Sequence, residues 1–217
     1  NDLFKIWSAE RCLNKNTKYI ILQHGGNSPL AELSLADFLH PLIADKYLTW
    51  GWKQNIKNII PFHAFLLSNR KVKFRKNINN NIYFCIHIPG KFPYRYESGP
   101  STNEEKLRKL NSIKGVINGL NENLTNNIII RYLEKHITRL GERSGVKFDK
   151  SGIFKNISYD KGQTPFIKIL PRAKIVIHDS NSTGFLESLF FNVPTILILD
   201  KKIETFERSA RKYVKLL

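Results

Sequence analysis

Residues Ile175–Asp200 read IVIHDSNSTGFLESLFFNVPTILILD. Ile175-Val176-Ile177 and Thr195-Ile196-Leu197-Ile198-Leu199 are short β-branched or apolar runs without alternation, the pattern of parallel strands covered on both faces. Between them Asp179-Ser180-Asn181-Ser182-Thr183-Gly184 is dense in hydroxyls and N-cap residues, and predicts a helix from about Phe185 to Phe191. Asn192-Val193-Pro194 closes that helix, because proline cannot continue it. A helix start with free N–H groups and hydroxyls, at the carboxyl end of a parallel strand, is suited to an anion, and so to a nucleotide or phosphate. Glu187, one helical turn after Thr183, faces the same place. The same Ser and Thr residues also serve as ordinary helix caps, and spacing alone does not separate the two roles.

Outward from this unit, strands and helices alternate. Leu3–Leu13 reads as a helix, Tyr19–Leu22 as a buried strand ending in Gln23-His24-Gly25-Gly26, and Ser28–Phe38 as a helix with Pro29 in its first turn. Strand Lys46–Thr49 follows, then a loop and short strand over Pro61–Leu67. The run Asn77-Ile78-Asn79-Asn80-Asn81 marks a break before strand Ile82–Ile88. Thr102 with Glu105 forms a capping box for a helix to about Asn118. Strand Asn127–Tyr132, helix Glu134–Arg143 and a short element at Ile167–Leu170 complete the series. Such alternation predicts an α/β fold with Rossmann-like parallel sheets.

Two motifs carry a resemblance. HDSNSTGFLESLFFNVPTI is similar to the donor-site segment of bacterial surface-polysaccharide transferases of GT-B architecture. YIILQHGG at Tyr19–Gly26, followed by Asp45–Trp52 with its Trp50-Gly51 pair, is similar to the acceptor-side domain of the same enzymes. The chain most resembles the leptospiral-type transferases of O-antigen and surface-carbohydrate loci, and more distantly the capsular β-Kdo transferases and the CDP-glycerol glycerophosphotransferases. The resemblance implies a division into residues 1–76, part of an acceptor-side α/β domain with a linker, and residues 77–217, a nucleotide-binding donor domain. The chain starts at Asn1 and contains no Met, so it is expected to be part of a longer transferase whose N-terminal domain is incomplete here.

Under that resemblance His24 is the acceptor-side catalytic candidate. An imidazole after a buried strand, beside Gly25 and Gly26 that admit a substrate to the backbone, can act as general base on an acceptor hydroxyl. It can equally be a histidine held by hydrogen bonds at a strand end. Glu32 and Asp45 are the carboxylates available to orient it or to replace it. On the donor side Ser180, Ser182, Thr183 and Arg131 are expected to hold phosphate, with Glu187 on the ribose or sugar. His178 and Asp179 either bind the donor or fix the loop. Arg131-Tyr132-Leu133 stands where related transferases place His-Pro, which loosens the tie to a CMP-activated donor. His40, His63, His87 and His136 show no ligand spacing and read as structural or surface residues. In Gly90–Pro100, Lys91, Arg95 and the tyrosines can meet a ligand or form a rigid surface loop.

Composition narrows the classes. Lys and Arg number 35 against 18 Asp and Glu, a formal net charge of +17 over 217 residues. Such a balance favours anionic partners: a nucleotide-activated donor, a glycan or lipid-linked glycan acceptor, or an anionic membrane face met by the basic run Arg70–Lys76. That run also fits a solvated loop. The charge is spread without any helix-turn-helix, zinc-finger or RNP pattern, so no specific nucleic-acid partner is expected, and a basic binding module is the rival reading. No GxxxxGK[ST], HExxH, DxD-like pair or Cys/His cluster occurs, so neither a cofactor nor a metal is expected. Cys12 and Cys85 are too scattered for a disulfide framework, pointing to a cytoplasmic protein, at the inner membrane face if its acceptor is lipid-linked. Another sugar-nucleotide enzyme such as an epimerase shares this architecture.

Overall fold

Among the described residues both sheets are parallel throughout. The computed structural model describes residues 2–14, 16–68, 75, 77–87, 103–132, 157–200 and 205–214. In chain order the elements are α1 (Asp2–Leu13), β1 (Ile20–Leu22), α2 (Leu35–Ile43), β2 (Lys46–Trp50), β3 (Ile59–Phe62), α3 (Phe65–Ser68), β4 (Ile82–Cys85), α4 (Asn103–Asn118), α5 (Glu122–Thr125), β5 (Ile128–Arg131), β6 (Ser158–Asp160), α6 (Phe166–Ile169) with a 3₁₀ turn at Leu170–Arg172, β7 (Ile175–His178), α7 (Thr183–Phe190), β8 (Thr195–Leu197) and α8 (Arg211–Val214). Strands β1, β2 and β3 form one sheet in that order; the other has the order β6-β5-β4-β7-β8. Among the described residues no helix is long and apolar enough to cross a membrane.

The five-stranded order places its first strand in the middle. The chain steps outward through β5 and β6, then returns to the other side of β4 as β7 and β8. This is the Rossmann arrangement, and it leaves a crevice at the carboxyl ends of β4 and β7 where the winding reverses. Period-two alternation along the central strands fills both faces. Ile82, Phe84 and Ile177 pack with Ile113 and Ile117 of α4 on one side; Tyr83 and Val176 pack with Leu170, Ala173, Phe191 and Val193 on the other.

The last β–α–β unit follows from its residues. After α7 the chain reverses at Asn192, whose φ of 52° lies in the left-handed region that asparagine tolerates better than other side-chain-bearing residues. The Asn192 and Val193 N–H groups bond back to the Leu189 and Ser188 carbonyls at 2.9 and 3.0 Å, and Pro194 leads into β8. Here β8 differs from expectation. It is three residues long and ends its sheet among the described strands, so Ile196 is 47% exposed rather than covered on both faces.

Two further differences have identifiable causes. The helix expected from Ser28 begins seven residues later, because Ser34 is the residue whose hydroxyl accepts the Asp37 N–H at 3.3 Å. Residues 26–30 form a turn instead. Strand β6, Ser-Tyr-Asp, has no apolar run to announce it and forms by pairing with β5. The helix expected at Glu134–Arg143, the loop Gly90–Pro100, the Thr102 cap and the basic run, apart from Arg75, lie outside the described residues.

Candidate functional site

The crevice between β4 and β7 is closed at its floor by Asp179. Alternation sends His178 to the α7 side of the sheet and Asp179 to the α4 side. Both Asp179 oxygens accept the His87 N–H, at 2.9 and 3.0 Å, tying the end of β7 to the end of β4. Asp179 is 1% exposed. Burial pushes its carboxyl up to about 6, against the opposing pull of Lys109, the His87 N–H and the Ser180 hydroxyl. Beside it, on the α4 face, Arg108, Lys109, Ser112, Asp179, Ile198 and Asp200 line a cavity of about 320 Å³, with Arg108 and Asp200 paired at 2.9 Å.

The raised acid makes a pH prediction. Between the ordinary carboxylate range and about 6 the folded protein holds a proton that the unfolded chain has released, so stability from this group is present at low pH and lost as pH rises through about 6. Asp179→Asn, which keeps an acceptor for His87, is expected to melt at or above the wild-type temperature at pH 7.5. That advantage shrinks as pH falls below 6, and melting curves across this range read it.

His178 looks the other way. It is 2% exposed, with Nε2 2.8 Å from Ser188 Oγ, and Ser188 donates its own proton to the Gly184 carbonyl at 3.0 Å. That assignment makes His178 the donor, with its proton on Nε2. Phe166 and Phe185 stand edge-on to its ring at 6.0 and 5.9 Å, and burial lowers its pKa to about 4. A neutral, packed imidazole of this kind anchors α7 from beneath.

The Ser/Thr loop passes over the crevice into α7. Ser182 is the N-cap by backbone position, yet its side chain makes no capping hydrogen bond. Thr183 Oγ1 accepts the Gly26 N–H at 3.1 Å, across 157 residues of chain, and keeps its own proton for another acceptor. Ser180 bonds the Asp179 carboxylate. Glu187 is half-buried one turn further on. The two motifs of the sequence therefore meet in space.

Gln23 builds the other side of that meeting. It is 5% exposed. Its amide nitrogen donates to the Gly25 and Ser28 carbonyls at 2.8 Å each, and its amide oxygen accepts the Trp50 N–H and the Trp52 indole N–H at 2.7 Å each. The turn after β1 is thus riveted to the end of β2. Gly26 lies against α7 so closely that a Cβ would stand 2.7 Å from Leu186 Cδ1 and 3.0 Å from Thr183 Cα; a side chain here would have to push Leu186 and the start of α7 back. His24, at the tip, is exposed.

Three candidates are placed elsewhere. Asp45 precedes β2, at the opposite end of the sheet from His24; it pairs with Arg11 and accepts the Tyr19 N–H at 2.6 Å, contacts that hold its carboxyl down to about 2. Glu32 is 3.5 Å from Arg211. Asp45 is not brought to His24. Arg131 does reach the carboxyl end of β5, but its guanidinium is already engaged: it pairs with Asp160, donates to the Thr164 carbonyl at 2.7 Å and lies 5.1 Å from the Phe166 ring centre. It joins β5 to β6 and the segment that follows. Arg75, from the basic run, donates to the carbonyls of Ala173 and Lys174.

A model of the LIC12162 family transferases matches residues 1–217. The searches of curated proteins and of solved structures return no match.

Proposed function

The chain belongs to the LIC12162 family of transferases, and we propose that it acts as a glycosyltransferase on a nucleotide-activated donor, in a GT-B arrangement serving surface-polysaccharide assembly. The observation that supports this reading is the contact between Gly26 and Thr183: the turn after β1 and the start of α7 meet, as an acceptor side facing a donor-binding helix start would. The donor phosphate lies over Ser180, Ser182, Thr183 and the first N–H groups of α7, where the helix dipole and hydroxyls favour negative charge. Glu187 faces the ribose or sugar, and Asp179 fixes the floor. Arg131 holds the neighbouring strand in register. The acceptor, a free or lipid-linked glycan, approaches past Gly25 and Gly26, where His24 stands ready to contact a hydroxyl. Helix dipole and hydroxyls stabilise the phosphate as it departs.

A panel of CMP, CDP, UDP and GDP read by thermal shift tests the reading. One nucleotide is expected to raise the melting temperature in a concentration-dependent way. A protein indifferent to all four, yet binding DNA or RNA sequence-selectively near physiological salt, would contradict it and favour the basic binding module.

A further inference from the structure

The cavity beside Asp179, about 320 Å³, falls at the lower end of the range for small-molecule sites. It lies at the carboxyl ends of β7 and β8. Among the described residues, one wall comes from α4. Arg108, Lys109, Ser112 and Ile113, at positions i, i+1, i+4 and i+5, form two neighbouring rows along the helix. Lys109 and Ile113 are 8% and 2% exposed. The facing wall is residues 198–200, which leave β8 beside β7 with the Ile198 N–H donating to the His178 carbonyl at 2.8 Å.

These walls select a class of ligand. The cations Arg108 and Lys109 are matched by the carboxylates Asp179 and Asp200, so a free phosphate is attracted by one pair and opposed by the other. A polyhydroxylated ring would set hydroxyls against Ile113, Ile198 and Leu199, which cannot satisfy them. A planar base hides its faces against such apolar groups and turns its polar edge to the charged ones. Position agrees. Ser180 bonds the Asp179 carboxylate, and from Asp179 to Ser182 is three residues, at most about 11 Å of extended chain. A phosphate on the Ser/Thr loop and a base in the cavity therefore fit one nucleotide, across the point where the strand order reverses.

We propose that the cavity under α4 is the subsite for the base of the nucleotide-activated donor, its polar edge read by Arg108, Lys109, Ser112 and Asp200. The inference rests on the transferase reading above and extends it. The donor straddles the sheet, with phosphate on the α7 side, ribose over Asp179 and Ser180, and base on the α4 side. Glu187, on α7, then faces the transferred sugar. Each group on the walls has a definite sense. Lys109 only donates. Ser112 gives its proton to the Arg108 carbonyl at 3.0 Å, and so meets the base as an acceptor. The Arg108–Asp200 pair, 2.9 Å apart, sets a donor and an acceptor side by side. A base of the wrong pattern leaves some of these groups unpaired, which is how such a site discriminates.

Nuclear Overhauser spectra of protein labelled at the isoleucine methyls test the placement, with the nucleotide of the panel above that gives the largest thermal shift. Contacts are expected from the base protons to the Ile113 and Ile198 methyls. A bound nucleotide whose base touches neither overturns the subsite and leaves the phosphate reading standing. A protein that binds none of the four nucleotides overturns both. Calorimetry adds the energetic test. Ser112→Phe fills the cavity and is expected to weaken that nucleotide at least about tenfold, because the displaced base leaves polar groups unpaired. Inorganic pyrophosphate, which has no base, should keep its wild-type affinity in the same variant. Arg108→Gln, at a side chain 44% exposed and so tolerant of change, is expected to alter the order of preference among the four nucleotides. Wild-type nucleotide affinity in a folded Ser112→Phe, an equal loss for pyrophosphate and nucleotide, or an unaltered order in Arg108→Gln overturns the proposal.

Discussion

Arg131→Ala is expected to lower the free energy of unfolding by about 3–5 kcal/mol, the usual range for removing one partner of a buried ion pair. The side chain is 7% exposed and its partner Asp160 20%, so the carboxylate left behind is poorly reached by water. The Thr164 carbonyl loses its donor at the same time, and Phe166 loses the cation beside its ring. Urea unfolding should show a lower midpoint at an unchanged slope. Arg131→Lys keeps the charge but not the planar fork, and is expected to recover only part of the loss. A wild-type midpoint in Arg131→Ala, with weakened nucleotide binding instead, would return this arginine to the donor site.

Gln23→Ala is expected to be of similar size, about 2–5 kcal/mol, because each buried group left without its partner contributes about 1–3 kcal/mol. Four groups depend on this amide: the Gly25 and Ser28 carbonyls and the two Trp N–H donors. Water reaching the turn offsets part of the loss, so the sum is not simply four times one. Gln23→Glu separates the halves of the network. It keeps an acceptor for Trp50 and Trp52 but sets a carboxylate against two carbonyl oxygens, and should destabilise as well. Since the turn also carries Gly26 against Thr183, either variant is expected to weaken nucleotide binding in proportion to the loosened turn.

The parts of the fold legible in the sequence are those written in local pattern. Ile175–Ile177, the hydroxyl-rich turn and the Asn-Val-Pro stop announce a β–α–β unit without reference to anything distant, and the strands rich in isoleucine at 82 and 128 do the same. What escaped depends on partners far along the chain. Strand β6 has three mostly polar residues and exists through its pairing with β5, and with it went the ion pair that occupies Arg131. The orientation of α2 escaped for a different reason. Read by hydrophobic period, α2 should bury its leucines; the structure leaves Leu35, Phe38, Leu39 and Leu42 exposed, a choice no window of nine residues reveals. In the Gln-His-Gly-Gly turn the histidine drew attention as the titratable group, whereas the glutamine has the four hydrogen bonds. Its signal was available: an amide placed directly after an apolar strand must satisfy both donor and acceptor once buried.

The most direct measurement is calorimetric titration, with the nucleotide that gives the largest thermal shift, of wild-type protein and the Ser182→Ala/Thr183→Ala double variant. Ser182 spends no side-chain bond on capping its helix, and Thr183 accepts from Gly26 while retaining a proton to give. Hydrogen bonds to a charged phosphate contribute about 1.5–3 kcal/mol each. The account therefore predicts binding weakened at least about tenfold in a variant that still melts cooperatively. Unchanged affinity in that folded variant would contradict it, and would assign the loop to joining α7 and the turn after β1.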